Sequence, residues 1–234
     1  MSEAELKRLS RRQALGLLGA AAAAAGCNAA NVTGPSTTPT ATTPTTPPAT
    51  TSCVVTPSET EGPFPSLTLP VRSDVREDRT GLLLNLAITV VNASANCAPV
   101  TNASVEIWHC DAAGGYSEYG NLTSSTWLRG IQPVDASGVA RFTTIYPGWY
   151  QGRATHIHIE VFINNRSVKI SQIAFPEEIN SAVYASGVYA SKGQNPTRNT
   201  TDMVFSDGVT SELATLTGNT TSGYSATFQV GVNA

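Results

Sequence analysis

The chain has 234 residues and a formal net charge of −3, with 14 lysines and arginines against 17 acids. Charged residues make up only 13% of the sequence and form no basic stripe, which argues against nucleic acid as a partner. No repeat at solenoid or propeller spacing is present, so once its ends are set aside the length suits one domain of moderate size.

Residues 1–27 read as an export signal. Ser10-Arg11-Arg12-Gln13-Ala14-Leu15 precedes an apolar, alanine-rich run from Leu17 to Ala25, then Gly26 and Cys27. A charged stretch, a short apolar stretch and small residues before a break are signal-peptide anatomy, and the paired arginines fit the twin-arginine route. The run is too short to span a bilayer. "AAGC" also resembles the lipobox at which a new N-terminal cysteine is acylated, although Ala24 stands where leucine is preferred. Acylation at Cys27 would anchor the protein to the membrane surface, and without it the protein would be secreted. Residues 28–52 are almost wholly threonine, proline, alanine and serine. That composition gives an extended tether with nothing to bury. The folded domain is expected over 53–234.

Within it, Leu84, Leu86, Ile88 and Val90 alternate with smaller or polar residues, as a half-buried strand does. "SVEIWHC" and "GVARFTTI" follow, each after a turn, then "HIHIEVFI", "SVKISQIAF" and "YSATFQVGV". Short strands with turn signals between them predict an all-β fold, an antiparallel sandwich with long active-site loops. Only Glu177 to Ala190 has partly helical character. Cys53, Cys97 and Cys110 allow one bridge with one thiol over. Cys53–Cys97 is favoured because Cys110 continues a buried-looking strand as a small apolar residue, and the other pairings stay open.

Histidine is scarce: only His109, His156 and His158 occur. His156 and His158 sit two apart in a strand, so both imidazoles leave one face while Ile157, Ile159, Val161 and Ile163 take the core face. Tyr116 follows the glycine-rich turn "DAAGG", and Tyr150 follows "PGW" six residues before His156. Phenolate is a hard anionic oxygen ligand and imidazole a borderline one, a set that suits one ferric ion per chain. Two phenolates and a hydroxide balance three positive charges, so such a site can sit out of bulk water. A tyrosine of ordinary pKa about 10 ionises near neutrality only beside a strongly Lewis-acidic metal. Zinc suits this set less well, because neither cysteine nor carboxylate shares the spacing.

Three motifs, "VEIWHCDAAGGYSEY", "RGIQPVDASGVARFTTIYPGWYQGRATHIH" and "SQIAF", resemble those of the intradiol ring-cleavage dioxygenases, the catechol and protocatechuate dioxygenase family. The resemblance runs from "TPSETEGPFP" to "GVTSELATL", and "WHCDA" with "YPGWY" is most similar to an exported branch. It implies Tyr116, Tyr150, His156 and His158 as iron ligands, Trp108 in the strand before the first tyrosine, Arg153 as a catalytic cation and Gln172 as a pocket residue. "TEGPF" resembles the segment over the pocket mouth, which implies substrate contacts from Thr60, Gly62 and Pro63, with Trp149 beside them. Where cytoplasmic members carry a helical dimerisation region, this chain has the signal and tether. The resemblance further implies a catechol as substrate, O2 as co-substrate and a muconic acid as product. No arginine or lysine is placed for a substrate carboxylate, which favours uncharged catechols. The loop around Arg153 contains no acid, which argues against a surface ion pair there. Two other readings of the same chain are a non-catalytic sandwich module on a tether and a zinc hydrolase.

Overall fold

The structure is a computed structural model that describes residues 53–234. The expected signal segment, Cys27 and the tether at 28–52 lie outside the described residues. In chain order the strands are β1 (Leu83–Asn92), β2 (Ala98–Pro99), β3 (Ala103–Trp108), β4 (Arg129–Pro133), β5 (Val139–Ile145), β6 (His156–Ile163), β7 (Arg166–Ala174), β8 (Thr215–Asn219) and β9 (Gly223–Val232). One helix, α1 (Glu177–Tyr184), follows Pro176 with Glu177 and Glu178 in its first turn, and a 3-10 turn at Gly187–Tyr189 comes after it. The partly helical stretch expected at Glu177–Ala190 takes that form.

Two sheets share the core. One runs β2-β1-β9-β8 with β5 also on β1, and the other runs β4-β3-β6-β7. The alternation in β1 buries Leu84, Leu86, Ile88 and Val90 against Val105, Ile107, Ile157, Ile159 and Val161 from the other sheet. Burying each such side chain contributes roughly 1.5–3 kcal/mol, enough to fix strand register. A one-residue slip of β6 would turn Ile157, Ile159 and Val161 outward and drive both histidines into that core.

The sandwich is antiparallel except at one pair. β1 and β9 run parallel from Leu84↔Tyr224 to Asn92↔Val232. A parallel pair needs a long connection, and here most of the domain lies between the two strands. The periodicity of each strand is the same either way. β2, β4 and β8, which had no clear pattern in the sequence, are all sheet edges, and β4 and β8 carry the proline and glycine typical of edges. A disulfide joins Cys53 to Cys97 with their Cα atoms 5.4 Å apart, while Cys110 is free and buried.

Candidate active site

The outer face of the β4-β3-β6-β7 sheet carries the site. Trp108, His158 and Gln172 lie in one cross-strand row, since Trp108 pairs with His158 and His158 with Gln172. The Trp108 and His158 rings stack with centroids 4.9 Å apart and planes within 2°. His156, one pleat further along β6, shares the face. The third histidine, His109, is a core residue: its Nε2 lies 2.7 Å from Thr144 Oγ1 and its Nδ1 2.9 Å from the Cys110 carbonyl oxygen.

Two turns bring the tyrosines over this row, and glycine lets them meet. In the first, Asp111 Oδ1 accepts from the amides of Ala113 and Gly115 at 3.0 and 2.9 Å and closes the turn before Tyr116. A Cβ on Gly114 (φ +88) would lie 2.3 Å from the Trp149 carbonyl oxygen. A Cβ on Gly148 would lie 2.2 Å from the Asp111 carbonyl oxygen. Each turn therefore packs backbone to backbone on the other, and each presents a tyrosine two residues after its glycine. The Tyr116 and Tyr150 rings meet edge-on at 5.7 Å, and Tyr150 meets His156 at 5.6 Å.

The polar atoms of these four residues are left facing one another. His156 Nδ1 is 2.7 Å from the Ala154 carbonyl oxygen, which only accepts, so Nδ1 carries the proton and Nε2 presents a lone pair. That lone pair faces His158 Nε2 at 3.1 Å and Tyr150 Oη at 3.4 Å. His158 Nδ1 and Tyr116 Oη are buried with no hydrogen-bond partner. Burial lowers His156 to about 3 and takes His158 well below its ordinary range, so both imidazoles stay neutral and free to donate electrons. Burial also pushes both phenols above their usual value, Tyr116 far above it. Without a cation these are costly orphans. A hard, highly charged ion at their meeting point would take the facing Nε2 lone pairs of His156 and His158 and give the orphaned Tyr116 oxygen a partner as phenolate, so the residues fit ferric iron.

Behind this group stands an ion pair. Arg153 Nε lies 2.9 Å from Asp202 Oδ2, and the Arg153 Nη2 donates to Gln172 Oε1. The absence of an acid from the Arg153 loop was no guide, because the partner comes from 49 residues further on. Asp202 also accepts from the Ala154 amide at 2.6 Å, and Ala154 in turn holds His156. One buried carboxylate thus orients both the Arg153 cation and His156.

The dioxygenase family model matches residues 64–194, more than half of the chain. The chain belongs to the intradiol ring-cleavage dioxygenases. An enzyme family decides against the tethered binding module. No curated protein matches the chain. Among solved structures, an intradiol ring-cleavage dioxygenase from Tetranychus urticae is similar with a TM-score of 0.72 and 26% identity, over 77% of this chain and 95% of that one. The dioxygenase domain of a dioxygenase carbohydrate-binding protein fusion from Streptomyces sp. SirexAA-E gives 0.60 and 27%, over 77% and 99%. Catechol 1,2-dioxygenase from Pseudomonas arvilla C-1, at 23% identity and a TM-score of 0.53, shares the fold over 76% of this chain and 62% of its own.

In this dioxygenase, residues 59–70 cross the outer face as a strap. Gln172 Nε2 donates to the Thr60 carbonyl oxygen at 2.8 Å, and a Cβ on Gly62 (φ +74) would approach His158 Cε1 to 3.0 Å. Pro63 is exposed and Phe64 stacks on Tyr116 at 4.7 Å. Trp149 has a supporting place: it packs on the main core and its indole donates to the Gly193 carbonyl oxygen at 3.0 Å. Arg129, fully buried, pins the strap by donating to the Phe64 carbonyl oxygen and Ser66 Oγ, and pairs with Glu118 at 3.2 Å. Neither Arg129 nor Asp202 stood out in the sequence, because their partners are remote in the chain.

Proposed function

We propose that this dioxygenase holds one ferric ion between Tyr116, Tyr150, His156 and His158 and cleaves uncharged catechols between their two hydroxyl-bearing carbons, placing both atoms of O2 in a muconic acid. The convergence of two phenols, that of Tyr116 without a hydrogen-bond partner, on the facing Nε2 atoms of two neutral imidazoles carries this reading. Ferric iron bound there supplies the Lewis acidity that holds both catechol oxygens ionised and the electron sharing that opens the ring to O2.

The protein's own groups do the rest. Tyr116 is buried at 4% exposure and is the permanent anchor, whereas Tyr150 sits at the half-exposed mouth. Tyr150 Oη is therefore the group that accepts a catechol proton as substrate enters. Arg153 cannot lose its charge at any relevant pH and faces the ring where negative charge develops on carbon. Gln172 ties Arg153 to the Thr60 carbonyl and so couples the cation to the strap. Gly62 and Phe64 shield the histidine row from water, and Thr60 and Pro63 border the substrate's approach.

The same reading has the enzyme exported folded by the twin-arginine route and then either secreted or held by a lipid at Cys27 on its threonine- and proline-rich tether. The Cys53–Cys97 disulfide supports this, since such bonds persist in oxidising compartments.

Metal analysis with a visible spectrum tests the ligand set. Purified protein is expected to contain about one iron per chain, as four converging ligands imply a mononuclear site. It should also be reddish from phenolate-to-iron charge transfer. Stoichiometric zinc with no visible band would overturn the reading.

A further inference from the structure

At the start of the strap three carboxylates converge. One oxygen each from Glu59, Asp207 and Glu212 lies within 4.8 Å of the other two. Glu212 is fully buried, its Oε1 receives a 3.2 Å bond from Ser171 Oγ, and its Oε2 has no partner. No lysine or arginine forms an ion pair with any of the three among the described residues. The nearby Lys169 ammonium is spent on the Thr56 carbonyl oxygen and Ser58 Oγ at 2.7 and 2.8 Å, and Arg153 on Asp202. Three like charges at this spacing repel strongly in a partly buried place, and an unpaired buried carboxylate oxygen is costly in itself.

We propose that Glu59, Asp207 and Glu212 form a second metal site that binds calcium and clamps the strap to the loop carrying Asp202. The donors are all hard oxygens, which select calcium or magnesium over softer metals. Three carboxylates supply up to six oxygens in flexible geometry, and exposed Asp207 leaves room for water, which suits calcium's larger and looser shell. A divalent ion bound to all three carboxylates, with the Glu212 proton released, leaves a local charge of −1. Burial holds Glu212 up at about 8, with Glu59 next in raising it, which is the direction expected of a carboxylate in need of a cation.

The position gives the ion a task. The Glu59 amide donates to the Ile170 carbonyl oxygen, and its neighbour Thr60 receives Gln172. The Glu212 carbonyl oxygen receives the Ala174 amide at the end of β7. Asp207 lies five residues after Asp202, the residue that orients Arg153. A calcium ion would join the strap, the edge of β7 and the loop behind Arg153 at one point, outside the iron site.

Calorimetric titration with calcium chloride, paired with thermal melts, tests this on the whole iron-loaded protein after dialysis against a calcium-selective chelator. The wild type is expected to bind about one calcium per chain and to melt higher with calcium present. Asp207→Asn, an exposed substitution that leaves the fold intact, is expected to weaken calcium binding roughly tenfold or more, as affinity follows ligand charge. Glu59→Gln should act in the same direction. Absence of both binding heat and melting shift at millimolar calcium would overturn the proposal and favour a shared proton among the three acids. Unchanged affinity in Asp207→Asn, or tighter binding of magnesium chloride than of calcium chloride, would overturn it as well. None of these readouts uses turnover, so the result is independent of the iron assignment.

Discussion

Arg153 is the residue in which structural and catalytic accounts meet. Its pairing with buried Asp202 fixes the guanidinium, and its contact with Gln172 aims it along the row that contains His158. Removing one preorganised charge of this kind typically costs on the order of a hundredfold or more in rate. Arg153→Ala is expected to keep iron and colour and to turn over at least that much more slowly. Asp202→Asn should lower kcat in the same direction, and the double variant should add little to either single loss, because the two act as a unit. Full additivity in kcat would mean that Asp202 acts elsewhere. The tyrosines should differ as their burial differs. Tyr150→Phe is expected to retain some iron and lose most turnover, and Tyr116→Phe to weaken the metal site and shift the visible band. Equal, near-native turnover in both would refute the assignment. At this scale the two histidines and two tyrosines were legible because strand period and glycine turns act over short stretches. Asp202 and Arg129 were not, because their roles arise only when distant segments meet.

The paired turns make a prediction at the scale of elements. Gly148→Ala would push a methyl group into the Asp111 carbonyl oxygen, which lies 2.2 Å from the ideal Cβ position. Backbone on both sides leaves nothing flexible to yield, so a loss of roughly 1–3 kcal/mol is expected, read as a lower midpoint in chemical denaturation. Because the turns carry Tyr116 and Tyr150, iron retention should fall as well. Native stability and iron content together would show that the turns are not held in this way. The strands that fill the core were readable from alternation, which depends only on neighbours along the chain. The parallel pairing of β1 with β9 was not, since strand direction leaves no mark on periodicity. The edge strands β2, β4 and β8 were faint because an edge has less to bury.

Across the whole molecule, Glu106 gives stability a pH dependence. It is buried on the outer face of β3 with Oε1 unpartnered, opposite Glu160 on β6. Burial raises it from 4.5 to about 7, a hydrogen bond from Ser66 opposes the rise, and Glu160 adds to it. Between those values the folded state keeps a proton that the unfolded chain has lost. Its stability contribution is therefore full below about 4.5 and is lost as pH rises toward 7, by about 3 kcal/mol at most. Denaturation at pH 5 and pH 7.5 should show a smaller decline in Glu106→Gln than in wild type, and an equal decline would contradict the assignment. For the molecule as an enzyme, the most direct measurement is oxygen uptake on a panel of catechols with the ring-opened product identified. About one O2 should be consumed per catechol, since both atoms enter one product, with a muconic acid cleaved between the hydroxyl-bearing carbons formed from uncharged catechols first. Iron-loaded protein that consumes no oxygen across the panel, or that opens the ring beside the hydroxyl pair instead of between them, would contradict it.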